Sequence, residues 1–149
     1  MPLVTRAAAD TGPVPLGLAG FARIVADEAH GRLFLSPGLR GTGVRVTDLR
    51  GGGASTIDGL PGATGMALAP HGRSLWVALP GSGALKKVDT ATLEVTQTIA
   101  VPTGQCPGAK VVVGDRLVYG HSRNTYGGIG DYGGLGWWTR RRVRSSAAS

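Results

Sequence analysis

Short apolar runs alternate with clusters of turn residues along most of the chain. The clearest stretch lies between residues 62 and 102. Apolar runs at 65–69 and 74–79 are followed by Pro-His-Gly-Arg and Pro-Gly-Ser-Gly, and weaker alternation continues at 84–88 and 95–101. Alternation bounded by Gly, Pro and Asp is typical of β-strands, and no window of about 12 residues shows the period of a helix. The pattern predicts four short strands in this stretch.

The same pattern recurs along the chain with a spacing of 41 residues. Two adjacent segments share an apolar strand and the turns that flank it, with a one-residue slip between Leu33-Phe34-Leu35 and Leu75-Trp76-Val77. A fixed period of this length indicates a repeat architecture, in which each repeat is one supersecondary unit. The repeat positions are His30, Gly31, Arg32, Asp48 and Pro61 in the first copy, and His71, Gly72, Arg73, Trp76, Asp89 and Pro102 in the second.

Four strands repeated about every 40 residues describe the blades of a β-propeller. A third copy begins at 109–119, but no matching second half follows it. We therefore predict an all-β fold, a partial β-propeller of about two and a half four-stranded blades. The expected boundaries are an N-terminal extension 1–16, blade one 17–61, blade two 62–102, half of blade three 103–122, a Gly-rich loop 123–136 and a disordered basic tail 137–149.

The second repeat resembles a known propeller repeat. Leu-Trp-Val-Ala at 75–78, followed by Leu-Lys-Lys-Val-Asp-Thr-Ala-Thr at 85–92, is similar to the YVTN-type repeat of surface-layer-like and lactonase-like proteins. The resemblance covers about residues 20–122 and implies a bacterial, extracytoplasmic propeller. Because that family holds enzymes and non-enzymes alike, the resemblance assigns no activity.

The third copy departs from the repeat at Trp137. A GC-rich coding sequence for Gly-Val-Val-Asp-Thr-Ala-Thr-Gly, after loss of one G, encodes Gly-Trp-Trp-Thr-Arg-Arg-Arg-Val, which stands at 136–143. We therefore expect the residues from about 137 onward to be a frameshift product, and the chain to be a truncated fragment of a longer bacterial relative.

Charge and composition exclude several classes of protein. The four arginines between 137 and 149 account for four of the seven net positive charges, which leaves +3 for the rest of the chain. A nucleic-acid domain would carry its basic residues on a folded face, so no specific nucleic-acid partner is expected. With one cysteine, Cys106, the chain cannot form an internal disulfide. No apolar run is long enough to span a membrane, and the first residues show no signal-peptide pattern.

The residues that could carry chemistry have simpler structural interpretations. His30, His71 and His121 could form a metal triad, but exposed turn histidines are the preferred interpretation. The G-x-G-x-x-G match at 128–133 is followed by more glycine and not by a helix, so we interpret it as a loop. Asp27-Glu28 is interpreted as part of a turn, and Trp76 as blade core. Gly81-Ser82-Gly83 is too short for a nucleophile elbow. No catalytic, cofactor-binding or metal-binding residue is assigned, and no cofactor is expected.

Two functions remain open at this point. The first is a non-catalytic propeller fragment that acts as an interaction scaffold, with an unknown protein or surface ligand as its partner. Self-association through the open blade faces is a further outcome, because an unclosed arc leaves apolar faces and strand edges in water. The alternative is the remnant of a lactonase-like or lyase-like propeller enzyme.

Overall fold

The computed structural model describes residues 13, 15–18, 20–102, 106–113, 116–122, 134–138 and 143–145. These residues form three four-stranded antiparallel sheets, each a meander of strands in chain order. The first sheet contains β1 (Arg23–Asp27), β2 (Arg32–Ser36), β3 (Val44–Asp48) and β4 (Ser55–Ile57). The second contains β5 (Met66–Leu68), β6 (Ser74–Leu79), β7 (Ala84–Asp89) and β8 (Val95–Ala100). The third contains β9 (Cys106–Val113), β10 (Arg116–Ser122), β11 (Gly134–Trp138) and β12 (Val143–Ser145). One-turn 3-10 helices lie at Glu28–His30 and Pro80–Ser82.

The sheets stack as blades, because each side of the second sheet packs against a neighbour. A first apolar layer joins the first and second sheets and a second layer joins the second and third, the two sides of β6 contributing alternate residues. The first strands lie side by side, since β1 contacts β5 and β5 contacts β9. The first layer contains Phe34, Val44, Val46, Ile57, Leu60, Ala63, Met66, Leu75, Val77, Leu79 and Val88. The second contains Trp76, Ala78, Leu85, Ile99, Val101, Leu117 and Tyr119.

The strand register explains the one-residue slip between the two repeats. Arg32 pairs with Asp48 in the first blade, and Ser74 pairs with Asp89 in the second. The two aspartates therefore end equivalent third strands and lie one repeat of 41 residues apart. Their partners Arg32 and Ser74, in the second strands, are separated by one residue more than this. This offset makes Phe34 the counterpart of Trp76, and both side chains face the following blade.

The third sheet differs from the expected half blade. We expected a Gly-rich loop up to residue 136 and a disordered tail from 137, but β11 and β12 complete a four-stranded sheet. The backbone groups along one side of β10 pair with β11, with Leu117 opposite Trp138 and Tyr119 opposite Gly136. Ladder pairing requires only strand-compatible residues, and Trp and Val are good strand formers. Residues 134–138 and 143–145 therefore pair as strands of the third sheet.

No helix among the described residues is long and apolar enough to cross a membrane.

Candidate functional site

The meander places polar side chains of the repeat at one edge of the stacked blades. The turns that join the first to the second strand and the third to the fourth strand of a blade lie at the same end of its sheet. We call this end the turn edge; in the first two blades it comprises residues 27–31, 48–54, 69–73 and 89–94. The opposite end, comprising residues 37–43, 58–65 and 80–83, is called the loop edge. Most of the repeat positions identified in the sequence fall at the turn edge.

Asp27 and His30 form an acid–base pair in the first turn. Asp27 Oδ2 lies 2.8 Å from His30 Nδ1, and Asp27 Oδ1 accepts a hydrogen bond from the backbone N–H of His30 at 3.3 Å. The Asp27 side chain is 0% exposed, whereas that of His30 is 31% exposed. Because Asp27 is also the N-cap of the one-turn helix, the pair closes the turn. The adjacent Glu28 lies in that helix and is exposed.

The turn edge also connects the first two blades. Arg32 Nη1 donates a hydrogen bond to the backbone carbonyl of Thr90, at 3.0 Å. Thr90 is 0% exposed, and its hydroxyl donates to the Gly72 carbonyl at 2.6 Å. Thr90 therefore links β2 of the first blade to two turns of the second blade. This role of Thr90 was not predicted from the sequence, where its place directly after the repeat position Asp89 is a signal for it.

Asp48 and Asp89 close equivalent turns with backbone hydrogen bonds. Asp48 Oδ1 accepts from the N–H groups of Gly52 and Arg50, and these bonds lower the pKa of its carboxyl group. Asp89 Oδ1 accepts from the N–H groups of Thr92 and Ala91, which likewise lower its pKa, with a small contribution from nearby His30. Hydrogen bonds to a carboxylate favour its charged form. Both carboxylates are thus held as anions within their own turns.

The structure does not bring the three histidines together as a metal site. His71 occupies the turn equivalent to that of His30, where its Nδ1 accepts a hydrogen bond from the Arg73 N–H at 2.9 Å. His121 lies within β10, opposite Gly134. Within the part of the chain that the structure describes, no three His, Cys, Asp or Glu residues are grouped as metal ligands would be.

The remaining sequence candidates are placed as follows. Gly81 and Ser82 lie in the one-turn helix after β6, and Gly83 caps it with a φ of 58°. Cys106 begins β9 as a free, half-buried thiol. Trp76 lies in the second apolar layer and is 5% exposed. The glycine motif at 128–133 and most of the arginine cluster at 140–144 lie outside the described residues.

A cleft at the loop edge of the first blade was not predicted from the sequence. It has a volume of about 160 Å³ and lies between the segment before β1 and the loop that joins β2 to β3. Two arginines, Arg40 and Arg45, line it together with Thr56. The sequence signal for this cleft is the segment 40–45, which contains two arginines and two glycines. The glycines are needed because neighbouring residues pack closely against their backbone. A side chain at Gly43 would approach the carbonyl oxygen of Ile57 to 2.5 Å.

Comparisons with known proteins identify the fold and not a family. No family model matches the chain, and no curated protein matches it in sequence. Among solved structures, the chain is similar to a gluconolactonase from Xanthomonas campestris, with a TM-score of 0.66 and 13% identity over 86% of this chain and 47% of that one. It is also similar to a streptogramin B lyase, with a TM-score of 0.63 and 14% identity over 84% of this chain and 39% of that one.

A third solved structure, of a nidogen–laminin complex, matches with a TM-score of 0.62 and 17% identity, over 83% of this chain and 44% of the other. The chain thus spans about half the length of these structures, or less. At such low identity the likeness concerns the fold alone. Together with the three stacked four-stranded sheets, it shows that the chain has a partial β-propeller fold.

Proposed function

We propose that this chain is a non-catalytic interaction scaffold built from YVTN-type propeller blades. The observation that carries the proposal is the apolar outer face of the first blade, which is exposed at Ile24 and which we call the open face. Ile24 and Leu35 are cross-strand neighbours on the face opposite Val25 and Phe34, which pack toward the second blade. On that outer face Ile24 is 49% exposed, whereas Leu35 is buried. In a stacked-blade protein such a face is suited to packing against another sheet.

Four charged side chains at or beside the turn edge support the scaffold function, because they have structural tasks. Asp27 caps a helix, Asp48 and Asp89 close turns, and Arg32 joins two blades. A general acid or base needs a side chain that is free to reach a substrate. The partner that best fits the open face is an apolar sheet face, and a second copy of the chain is the simplest source of one.

Self-association is tested by size-exclusion chromatography with light scattering. Ile24→Lys puts a charge on the open face, and we expect it to shift the chain toward monomer relative to the unmodified protein. Thr98→Lys is the matched control, since Thr98 is exposed on β8 and lies away from the open face. Equal behaviour of the two variants, or a monomeric unmodified chain at all concentrations, would contradict the proposal.

The alternative is a lactonase-like or lyase-like enzyme, and the Asp27–His30 pair is the feature that favours it. The names of two structural neighbours, a gluconolactonase and a streptogramin B lyase, suggest the substrates to test. The scaffold proposal predicts no hydrolysis of gluconolactone above the rate in buffer. Turnover that is lost in His30→Gln and retained in His71→Gln would favour the enzyme.

We further propose that the chain is a frameshifted part of a longer propeller. The register of the third sheet supports this origin. Tyr119 pairs with Gly136 as Val77 pairs with Lys86, and Leu117 pairs with Trp138 as Leu75 pairs with Val88. Sequence position 139 therefore corresponds to Asp89, and the GC-rich coding sequence proposed above would encode an aspartate there in the shifted frame. Sequencing the coding DNA around codon 137 tests this origin directly.

A further inference from the structure

We infer that the cleft at the loop edge of the first blade binds a small oxyanion, a carboxylate or phosphoryl group. This site goes beyond the scaffold function and lies on a different edge from the repeat turns. Its walls come from two separate parts of the chain, the segment before β1 and the first blade itself. The lining residues on which the inference depends are Gly17, Arg40, Arg45 and Thr56.

The guanidinium of Arg45, which lines this cleft, carries a buried donor without a partner. Its Nη1 donates to the Thr56 hydroxyl at 3.2 Å. Its Nε is buried and has no hydrogen-bond partner. Its Nη2 lies next to Gly17, where an added Cβ would come to 3.5 Å from it. The Nε and Nη2 donors lie side by side on a guanidinium, and this pair of donors matches the two oxygens of a carboxylate or phosphate.

A buried donor without a partner points to a missing acceptor. Leaving such a group unsatisfied is unfavourable, and each instance requires an explanation such as a bound water or ion. A water molecule would satisfy Nε alone, whereas a two-oxygen anion would accept from Nε and Nη2 together. The described lining residues include a second arginine, Arg40, and no carboxylate, so the local charge favours an anion over water.

The size of the cleft limits the ligand. Pockets for drug-sized molecules have volumes of about 300–1,000 Å³, and this cleft has about 160 Å³. The volume suits a single anionic group, either a free ion or the charged end of a larger molecule that extends into solvent. Because Thr56 and Arg40 are exposed at the rim, the site is accessible from outside.

The inference is tested by NMR titration of arginine Nε–Hε resonances with inorganic phosphate and, in a second arm, with acetate. Sodium chloride at matched ionic strength controls for general screening. We expect the Arg45 resonance to shift in a saturable manner with at least one of the two probes. The stronger probe distinguishes a phosphoryl from a carboxylate ligand.

The variant Arg45→Lys keeps the charge and removes the paired donors, so we expect at least a tenfold loss of affinity. Arg73→Lys, at the turn edge, is the matched control and should bind like the unmodified chain. Arg40→Gln should weaken binding less than Arg45→Lys. Thermal melting of every variant verifies that it is folded. If Arg45→Lys is less stable, the backbone amide resonances of β3, the strand that carries position 45, still show whether the anion binds to the folded variant. No saturable shift with either probe, an equal shift with chloride, or an equal loss in Arg73→Lys would overturn the inference.

Discussion

At the scale of single residues, the most informative side chain is Trp76. It is 5% exposed and lies in the layer between the second and third blades, with Leu85, Leu117 and Tyr119. The Nζ atom of Lys87, its cross-strand partner, lies 5.8 Å from the centre of its ring. Burial in the same layer raises the pKa of Tyr119 to about 12, so this phenol stays neutral at physiological pH. Trp76 thus packs between the second and third blades.

Removing the Trp76 ring should therefore strongly destabilise the chain. We expect Trp76→Ala to lower the free energy of unfolding by about 3–5 kcal/mol, the usual cost of emptying a large core site. Thr98→Ala on the exposed side of β8 should change it by less than about 0.5 kcal/mol. Urea denaturation followed by circular dichroism provides the measurement. A loss below about 1 kcal/mol would mean that the second apolar layer contributes little to stability.

The lowered pKa of Asp89 predicts how stability depends on pH. A carboxyl group whose pKa is lower in the folded state contributes stability above its unfolded pKa, and this contribution is lost as pH falls through the folded pKa. Part of the acid destabilisation below about pH 4 should therefore disappear in Asp89→Asn, because that variant cannot be protonated there. Thermal melting between neutral and acid pH tests this. Asp58→Asn, in an exposed loop, should retain the full acid destabilisation.

At the scale of elements, the repeated His-Gly-Arg turn shows what its glycine does. Gly31 and Gly72 both adopt left-handed backbone conformations, with φ values of 64° and 76°. A Cβ at either position would meet no atom within 4 Å, so any cost of substitution comes from the backbone conformation alone. The backbone carbonyl of Gly72 also accepts a hydrogen bond from the Thr90 hydroxyl, so this turn is tied to the turn that begins at Asp89.

Gly72→Ala should lower the free energy of unfolding by about 1–2 kcal/mol, the cost of a left-handed non-glycine residue. Gly81 is the matched control because it is exposed, has open space at its Cβ position and does not have a positive φ. Gly81→Ala should be neutral or slightly stabilising, since alanine restricts the unfolded chain more than glycine does. Chemical denaturation of both variants measures the difference. Similar losses in the two would show that the turn conformation is not the cause.

The strands of the second blade were predictable because each is bounded by Pro, Gly or Asp chemistry. The expected strand at 74–79 is β6, and those at 84–88 and 95–101 differ from β7 and β8 by one residue at one end. The Arg32–Thr90 contact and the Arg45 cleft were not predictable in this way, because they join segments far apart in sequence. β11 was missed because its residues depart from the repeat, although its pairing needs only backbone groups.

At the scale of the whole molecule, the number of blades decides how many blade faces pack against a neighbour. Propellers close with about four to eight blades, and three sheets are described here. On the outer face of the first blade, Ile24 is 49% exposed. The stability of stacked blades depends on nearest-neighbour contacts between them. A change that stabilises or destabilises the third blade should therefore also change the stability of the second blade, which packs against it.

The frameshift proposal makes a prediction about this third blade. Replacing residues 137–143 by Val-Val-Asp-Thr-Ala-Thr-Gly would place an aspartate at the position that corresponds to Asp89. Such a carboxylate can accept backbone N–H groups in the turn, as Asp48 and Asp89 do. A turn or cap hydrogen-bonding side chain contributes about 1 kcal/mol, which corresponds to a rise in Tm of about 2–4 °C for a chain of this size.

The control for that replacement is the same seven residues in scrambled order, with the aspartate moved away from position 139. It removes the arginines and tryptophans equally, so it separates the effect of the restored turn from that of the changed composition. We expect the ordered segment to melt at a higher temperature than both the scrambled and the unmodified chains, as measured by calorimetry. If the two replacements melt alike, position 139 is not equivalent to Asp89, and the register argument for a frameshifted third blade is wrong.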